Sequence, residues 1–526
     1  MILLAFGFSG VSALIYEVTW TRALSLVLGS TTYALSTMLS TFMAGLAAGS
    51  YIGGKVADKR KDLIGLFGAC EGGIGVFGLI TVPLIYSLPP FYMYLFRVFH
   101  LTPSIFYALQ FLICSVIMLV PTTLMGITFP LVSRSLTLTV DEMGRKVGNA
   151  YSMNTLGAIV GSFLAGFVLI PVFGIKTATF IAAFINLIVA VVMIWFFSGW
   201  RKVLFIFGTF FLLSGAAAAY SEEKITFITF YTAQRFLNIP LHFLEEGDRA
   251  SYYTTLFHKE YPDGAVRLYL DRKGDFVLQT GGKIEGSTSN DTANTLLLAY
   301  LPLASHRNPE HFLVVGLGLG ITLTAAKEHV RDVDLIEINP GVLEAARTFV
   351  DEGLLDGVKV HINDARQHLL LFDKKYDVIS SEPSYPTEAA VANLFTKEFY
   401  QLAKERLNPG GIYCQWLPYY FIGDDGVTMM LKTFGSEFRH VYLWRVGDSM
   451  DRIMIGSDEP FPFTKEEVME RLQLLNKRGY ALDVTVSQEP RQVAGIVRMD
   501  EVPLNTDDKP LLEFSTVRNV VMGAWQ

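Results

Sequence analysis

Five blocks of sequence between His311 and Tyr420 decide the fold of the C-terminal part of this chain. They read HFLVVGLGLGITLTAAKEH (311–329), DVDLIEINPGVLEAA (332–346), VKVHINDARQHLL (358–370), YDVISSEPSYP (376–386) and GGIYCQWLPYY (410–420). Each opens with a short run rich in Val, Ile and Leu that ends in a Gly-rich or acidic turn, and the first three then lead into helix-like sequence. Strands that alternate with helices in this way predict a parallel sheet covered by helices on both faces.

The ends of these apolar runs carry the candidate binding residues, because α/β sheets bind ligands at the carboxyl ends of their strands. A glycine-rich turn follows the first run and opens a helix, which allows close backbone approach to a ligand. Its glycines are Gly316, Gly318 and Gly320. Glu337 ends the second run, 17 residues after Gly320. A carboxylate at that position can accept hydrogen bonds from both hydroxyls of a ribose.

Asp364 and Ala365 end the third run, where an adenine would lie. Three such features in order predict a site for an adenosine-bearing cofactor, and the spacing fits S-adenosylmethionine at least as well as a dinucleotide. The alternative is a glycine turn kept for packing, with acids that are simply solvated. Glu382 ends the fourth run and is the candidate general base; the alternative is that it caps the following turn.

From about residue 245 onward, these motifs resemble the spermidine synthase (polyamine aminopropyltransferase) family, most closely its membrane-fused bacterial members. The resemblance includes NTDDKPLLEF (505–514) and reaches into the N-terminal part through GFSGVSALIYEVTWTRALSLVLGS (7–30). It implies a small β-domain beside a Rossmann-like, methyltransferase-type α/β domain. It also implies decarboxylated S-adenosylmethionine as co-substrate, no metal, and an amine acceptor. The assignment of the glycine loop, Glu337, Asp364–Ala365 and Glu382 follows the family's motif order.

The chain departs from the family on the acceptor side of the site. Leu319 stands where soluble members carry Asp within the glycine loop, Glu382 replaces the catalytic Asp, and Tyr385 replaces a second, amine-binding Asp. Glu285 takes the position of a Gln, and the family's Tyr-His-Glu triplet has no clear counterpart in 290–303. The adenosine half is therefore kept and the acceptor half is altered. The candidate substrate-binding residues are Glu285, Asp291, Tyr385 and Gln415.

Composition indicates a membrane part. Mean hydropathy is +0.36, and only 18% of the 526 residues are charged. Acids are almost absent before residue 220. Six apolar runs are long enough, alone or extended, to cross a bilayer, and a shorter seventh covers 203–220; the six are 2–16 (extending to 28), 31–54, 63–88, 105–132, 147–173 and 178–200. The net charge of −7 argues against a nucleic-acid partner, and the three cysteines read as buried hydrophobes.

The predicted organisation is a multi-pass helical domain at 1–220, half of a major-facilitator-like transporter, then a junction and small β-domain at 221–290 and the catalytic domain at 291–526. Positively charged loops near residues 55–61, 134–146 and 201–202 predict cytoplasmic loops. Seven full spans would then place the catalytic domain outside the cytosol, where the co-substrate is made. If 203–220 does not cross, the catalytic domain is cytosolic. The expectation is therefore a protein of the cell's inner (plasma) membrane with its catalytic domain in the cytosol.

Three functions remain open from the sequence. The first is an aminopropyltransferase that acts on a small amine. The second is an S-adenosylmethionine-dependent methyl or alkyl transferase with a membrane-soluble acceptor, and the third is a non-catalytic nucleotide-sensing membrane module. Oligomeric state is also open, with a homodimer as one option. Glu17 and Glu71 lie within apolar runs and predict either a polar pocket between helices or a structural Glu–Arg pair.

Overall fold

The computed structural model describes residues 1–28, 32–99, 103–137, 142–197 and 208–209, and residues 254–512 with short gaps. Tyr385 and most of the run at 203–220 lie outside the described residues. The chain divides into two compact units, Met1–Ile239 and Pro240–Gln526. Each is described by itself below.

The N-terminal unit is helical. Its helices are α1 (Ile2–Leu28), α2 (Thr32–Lys59), α3 (Leu63–Phe99), α4 (Pro103–Leu136), α5 (Met143–Leu164) and α6 (Ile170–Phe197), with a π-helical turn at Ala165–Leu169. Five helical stretches in the described part of this unit are long and apolar enough to cross a membrane. The prediction of seven spans is therefore not supported.

One of the two missing spans is accounted for between the fifth and sixth predicted spans; the other, 203–220, lies mostly outside the described residues. The structure merges the fifth and sixth spans into one helical stretch, Met143–Phe197, of 55 residues. Its single break is Gly174, where φ is 77° and ψ is 168°. A bilayer crossing needs about 20 residues, so this stretch is long enough for two crossings, but its hydropathy gives no boundary between them.

Small residues four apart let helices of this unit approach closely, as their spacing predicts. On α2, a Cβ added at Gly49 would lie 2.0 Å from the Thr123 carbonyl oxygen of α4, and one at Gly45 would lie 1.8 Å from Thr122 Oγ1. On α5, a Cβ at Gly157 would lie 1.9 Å from the Gly7 carbonyl oxygen of α1. These positions tolerate no side chain without moving a helix backbone.

We expect Gly49→Ala to destabilise the helical unit, because the new methyl group meets backbone and forces α2 away from α4. Overpacking of this kind costs about 1–3 kcal/mol. Gly54→Ala on the same helix is the matched control, since nothing lies within 4 Å of its added Cβ. Thermal unfolding of the detergent-solubilised protein measures both variants. Equal unfolding midpoints for the two would contradict the close packing.

The C-terminal unit begins with a four-stranded antiparallel sheet in the order β1-β2-β3-β4. Its strands are β1 (Thr254–Lys259), β2 (Val266–Leu270), β3 (Phe276–Thr280) and β4 (Lys283–Ser287). The predicted hairpins in this stretch are therefore present in the described residues.

An eight-stranded sheet in the order β12-β10-β11-β9-β8-β5-β6-β7 forms the centre of the unit. Its strands are β5 (His311–Val315), β6 (Asp332–Glu337), β7 (Lys359–Ile362), β8 (Tyr376–Ser381), β9 (Leu407–Pro418), β10 (His440–Val446), β11 (Asp451–Ser457) and β12 (Val484–Gln488). The first five run parallel to one another, and β10, β11 and β12 form only antiparallel pairs with their neighbours. The predicted α/β fold is therefore confirmed.

Helices cover both faces of this sheet, as the apolar strand sequences predict. They are α7 (Thr292–Ser305), α8 (Ile321–Lys327), α9 (Pro340–Ala346), α10 (Ala365–Leu371), α11 (Ala389–Ala392), α12 (Lys397–Glu405), α13 (Tyr419–Glu437) and α14 (Lys465–Leu475). One apolar core includes side chains of α7, α8 and α14, and a second, on the other face, includes side chains of α12 and α13.

The topology brings one late residue to the ligand-binding edge of the sheet. The parallel strands β5, β6, β8 and β9 all end at that edge. Strand β11 runs antiparallel to β9, and Asp451, its first residue, pairs with Pro418, the last residue of β9. The start of β11 therefore lies where the parallel strands end.

Candidate active site

The glycine loop links β5 to α8 with three positive backbone φ angles, at 90° for Gly316, 51° for Gly318 and 74° for Gly320. Glycine adopts such angles without the steric penalty that a Cβ brings. The Gly316 N–H donates to the Ile336 carbonyl oxygen at 2.8 Å, which ties the loop to β6. A Cβ on Gly316 would lie 3.4 Å from the Glu382 carbonyl oxygen. The loop and the end of β8 are thus in direct contact.

Glu337 is buried at the end of β6 and is held by backbone on both sides. The Leu317 N–H of the glycine loop donates to its Oε2 at 2.9 Å, and the Asn339 N–H donates to its Oε1 at 2.9 Å. Burial raises the pKa of Glu337 while these two backbone hydrogen bonds lower it. Each carboxylate oxygen can accept a further hydrogen bond. The geometry presents a fixed carboxylate beside the glycine loop.

Asp364 lies at the end of β7 as the N-cap of α10, and its Oδ1 accepts from the Gln367 N–H at 2.9 Å. The Asn363 N–H donates to the Glu337 carbonyl oxygen at 3.1 Å. Ala365 is buried. The structure therefore brings Asp364–Ala365 to the same edge as Glu337. Asp364 also has a capping function that needs no ligand.

Glu382 follows the last residue of β8. Its N–H donates to the Val315 carbonyl oxygen at 3.2 Å, and its Oε1 accepts from the Thr295 hydroxyl of α7 at 3.4 Å. Burial and the nearby charges of Asp291, Glu285 and Asp451 raise its pKa to about 8. The pKa of this carboxyl group therefore lies close to neutral pH.

Glu285 and Asp291 both lie near Glu382, as their shared electrostatic effect on it requires. Glu285 on β4 accepts a hydrogen bond from the Ser384 hydroxyl at 2.6 Å. Asp291 precedes α7 and accepts from the Ser287 N–H at 2.7 Å and hydroxyl at 2.9 Å. Burial raises the pKa of Asp291, and these hydrogen bonds lower it.

Asp451 completes this group, and the sequence did not predict it. The Asn294 amide donates to its Oδ2 at 2.6 Å, and the Trp416 indole donates to its Oδ1 at 3.1 Å. Asn294 is the helical neighbour of Thr295, which contacts Glu382, so one turn of α7 touches two of the acids. We call Glu285, Asp291, Glu382 and Asp451 the acidic cluster.

Gln415 is not brought to this cluster. Its side chain is fully buried, accepts from the Tyr400 hydroxyl at 2.8 Å and donates to the Leu394 carbonyl oxygen at 3.1 Å. Side chains alternate along β9, and Trp416 projects to the face of Asp451 while Gln415 projects to the other. Gln415 is therefore a core residue, and the sequence prediction that it binds substrate is not supported by its position.

Leu319 fills the position where the resembling family carries an acid. It is 6% exposed, and a Cβ built on Gly286 of β4 would lie 3.7 Å from its Cδ1. The side chain of this loop leucine thus packs against β4 of the small sheet.

Comparison with known proteins identifies the family. A sequence profile described as the spermine/spermidine synthase domain matches residues 292–444. Polyamine aminopropyltransferase 1 of Bacillus cereus is 35% identical over 199 residues, which span 36% of this chain and 71% of its own length. The chain belongs to the spermidine synthase family. Polyamine aminopropyltransferases and spermidine synthases are transferases, and this chain is a transferase as well.

The family relationship also extends over the helical unit. Polyamine aminopropyltransferase 2 of Aquifex aeolicus is 24% identical over 526 residues, with 96% of each chain covered. The spermidine synthase of Thermotoga maritima, a solved structure, aligns at 20% identity with 42% of this chain and 88% of its own, at a TM-score of 0.36. The similarity to the Aquifex aeolicus protein thus covers the sequence of both units of this transferase.

Proposed function

We propose that this protein is an integral membrane aminopropyltransferase that moves an aminopropyl group from decarboxylated S-adenosylmethionine to an amine acceptor, with Glu382 as general base. The observation that carries the proposal is the acidic cluster next to the glycine loop. The names of the relatives, which are polyamine aminopropyltransferases, support the same reaction.

The acidic cluster selects the form of the co-substrate. Decarboxylated S-adenosylmethionine carries a sulfonium and an ammonium group, both cationic, whereas S-adenosylmethionine adds a carboxylate. Opposite charges favour binding and like charges disfavour it. The negative charges of the acidic cluster around the expected position of the co-substrate tail therefore favour the decarboxylated form, and Glu382 adds its charge as the pH rises through about 8. The same charges favour an amine acceptor, which is a cation at neutral pH.

The adenosine half of the co-substrate fits the glycine loop and the end of β6. Glu337 has free acceptor capacity for the two ribose hydroxyls while Leu317 and Asn339 hold its orientation. Asp364–Ala365 would border the adenine. The contact between Gly316 and the backbone of Glu382 supports a position of the sulfonium near Glu382.

The chemical step needs a neutral amine and an aligned carbon. The lone pair of the acceptor nitrogen attacks the aminopropyl carbon bonded to the sulfonium, a C–N bond forms, and the C–S bond breaks. Methylthioadenosine leaves as a neutral thioether, so the electron pair of the broken bond stays on sulfur. Glu382 takes the proton that the nitrogen must lose. The rest of the rate enhancement comes from holding both reactants in line.

Binding of the co-substrate tests this function. Calorimetry with the full chain should give tight binding of decarboxylated S-adenosylmethionine and of methylthioadenosine, and weak binding of S-adenosylmethionine. The Asp291→Asn variant, which removes one charge of the cluster, should bind the decarboxylated and the carboxylated co-substrate with more similar affinities than the wild type does. Preference of the wild type for S-adenosylmethionine would overturn the proposal in favour of methyl transfer.

The helical unit spans the inner (plasma) membrane in this proposal, with the catalytic unit in the cytosol. Large apolar side chains point outward from its helices, with Phe167 71% exposed, Val116 66% and Ile159 61%. Exposed apolar surface on this scale marks contact with lipid or protein. Retention in the membrane pellet after an alkaline carbonate wash is expected, and release into the supernatant would contradict the membrane assignment.

The pH dependence of kcat/KM should report Glu382. A base must be deprotonated to accept a proton, so activity should rise with pH and bend near pH 8, the pKa of this residue. Asp451→Asn removes a neighbouring negative charge that raises this pKa. Deprotonation of Glu382 then becomes easier, and the bend should move to lower pH. A pH profile without a bend, or with a bend that stays at the same pH in Asp451→Asn, would contradict the assignment of Glu382 as the base.

A further inference from the structure

The helical unit contains a fully buried carboxyl group at the junction of three helices. Glu71 of α3 is 0% exposed. The Ser9 hydroxyl of α1 donates to its Oε1 at 2.6 Å, and the Asn186 amide of α6 donates to its Oε2 at 2.6 Å. Both partners are neutral, so they orient the carboxyl group without balancing a negative charge.

No cation balances Glu71 among the residues that the structure describes. The titratable groups whose charge reaches it are the Tyr16 hydroxyl of α1 and the thiol of its chain neighbour Cys70, and both are neutral acids. The Glu–Arg pair that the sequence left open is thus not formed by Glu71 in this part of the chain. An uncompensated carboxylate in a dry interior is strongly destabilising.

Two buried polar atoms beside Glu71 have no hydrogen-bond partner. They are the side-chain oxygen of Asn186, whose residue is 1% exposed, and the hydroxyl of Tyr16, which is 0% exposed. Buried acceptors without donors are rare in folded proteins. The junction thus holds a buried carboxyl group with two neutral hydrogen-bond donors and, among the described residues, no balancing positive charge.

A proton removes the uncompensated charge. A protonated Glu71 keeps the Ser9 hydrogen bond at Oε1, and its Oε2 can donate to the Asn186 side-chain oxygen once the amide turns over by half a rotation, which exchanges its oxygen and nitrogen. A metal ion would instead need several oxygen ligands at once, and the donor hydrogens of Ser9 and Asn186 point at the same carboxylate oxygens. The donors around the carboxyl group therefore favour a proton over a metal ion.

We propose that Glu71 is a proton-binding site that joins α1, α3 and α6. In the loaded state the carboxylic acid is neutral and hydrogen-bonded to Ser9 and Asn186. Loss of the proton places an unbalanced charge between the three helices and weakens their contact. The site lies in the helical unit and does not depend on the transferase reaction, so its test uses no activity.

Infrared spectroscopy of the full-length protein in lipid nanodiscs tests the site. At neutral pH the wild-type spectrum minus the Glu71→Gln spectrum should contain the carbonyl band of a buried, protonated carboxylic acid, while the band of Glu382, whose pKa is about 8, cancels because both proteins have it. Glu17→Gln on α1 is the matched control and should keep the Glu71 band, because Glu17 is partly exposed and lies outside the junction. A difference spectrum without a carbonyl band at neutral pH would overturn the proposal.

Thermal unfolding provides a second measurement that does not depend on the strength of the infrared band. Glutamine imitates the protonated acid, so Glu71→Gln should unfold at nearly the wild-type midpoint at low pH. As pH rises and the wild type loses its proton, the wild-type midpoint should fall relative to the variant. A midpoint difference that changes with sodium concentration at constant pH would assign the site to a metal cation and overturn the proton.

Discussion

Glu382→Gln should lower turnover by about 10²- to 10⁴-fold, the usual contribution of a general base, while binding of methylthioadenosine stays within a few-fold of wild type. Glutamine keeps the shape of the side chain and its acceptor oxygen for Thr295, so the fold at the end of β8 should persist. It cannot take a proton from the acceptor amine. Steady-state kinetics with decarboxylated S-adenosylmethionine and a polyamine measure the loss.

Two comparisons make this result specific. Glu310→Gln makes the same chemical change at an exposed residue near the opposite ends of the strands and should leave turnover unchanged. Product binding to Glu382→Gln, measured by calorimetry, separates a lost base from a lost site. Full activity in Glu382→Gln would exclude the base assignment and favour a non-catalytic function for this carboxyl group.

Glu337→Gln should weaken methylthioadenosine binding by at least about a hundredfold. Hydrogen bonds to a charged group contribute about 1.5–3 kcal/mol each, and the two ribose hydroxyls would make two of them. The amide also replaces one acceptor with a donor, which would face either the Leu317 or the Asn339 N–H. Calorimetry with methylthioadenosine isolates this effect, because the product lacks the aminopropyl group and its charge.

The Glu382 variant is the matched control for this experiment. It changes an acid of the same site that lies beyond the adenosine part, so it should bind methylthioadenosine normally where Glu337→Gln does not. Thermal unfolding of Glu337→Gln distinguishes lost affinity from a disordered glycine loop. Unchanged affinity in a folded Glu337→Gln protein would remove Glu337 from the ribose site.

Local patterns were enough to predict the parallel sheet and the residues that lie at its ligand-binding edge. The glycine loop, Glu337 and Asp364 each follow a strand within a few residues, and parallel strands bring their carboxyl ends to one edge. Glu382 was predicted for the same reason. Such residues need no knowledge of which strands are neighbours, because every parallel strand ends at that edge.

Asp451 could not be predicted in this way. It begins a strand instead of ending one, and it reaches the site because β11 runs antiparallel to β9. The prediction that Gln415 binds substrate is not supported for the opposite reason. Gln415 lies near the end of a strand, but on the face that packs against Tyr400. Which face a residue occupies depends on strand register, which the apolar run 412–418 does not reveal.

Hydropathy alone does not locate a turn within continuous apolar sequence, so the division of residues 143–197 into a fifth and a sixth span stays a prediction. This stretch contains the most apolar 18-residue window of the five candidates, with a mean hydropathy of 2.7. Its break lies at Gly174, where a positive φ interrupts the helix. Glycines are frequent throughout the helices of this unit, so no sequence signal distinguishes this one from those that serve helix packing.

The contacts of α7 have a consequence for how the enzyme acquires activity. Its first turn is joined to Glu382 across 87 positions of sequence and to Asp451 across 157. Contacts between residues so far apart form slowly, because the intervening chain must first be ordered. The catalytic pocket should therefore be among the last parts to mature after synthesis, and a ribosome-bound chain that lacks β11 should have no turnover even when the glycine loop is already folded.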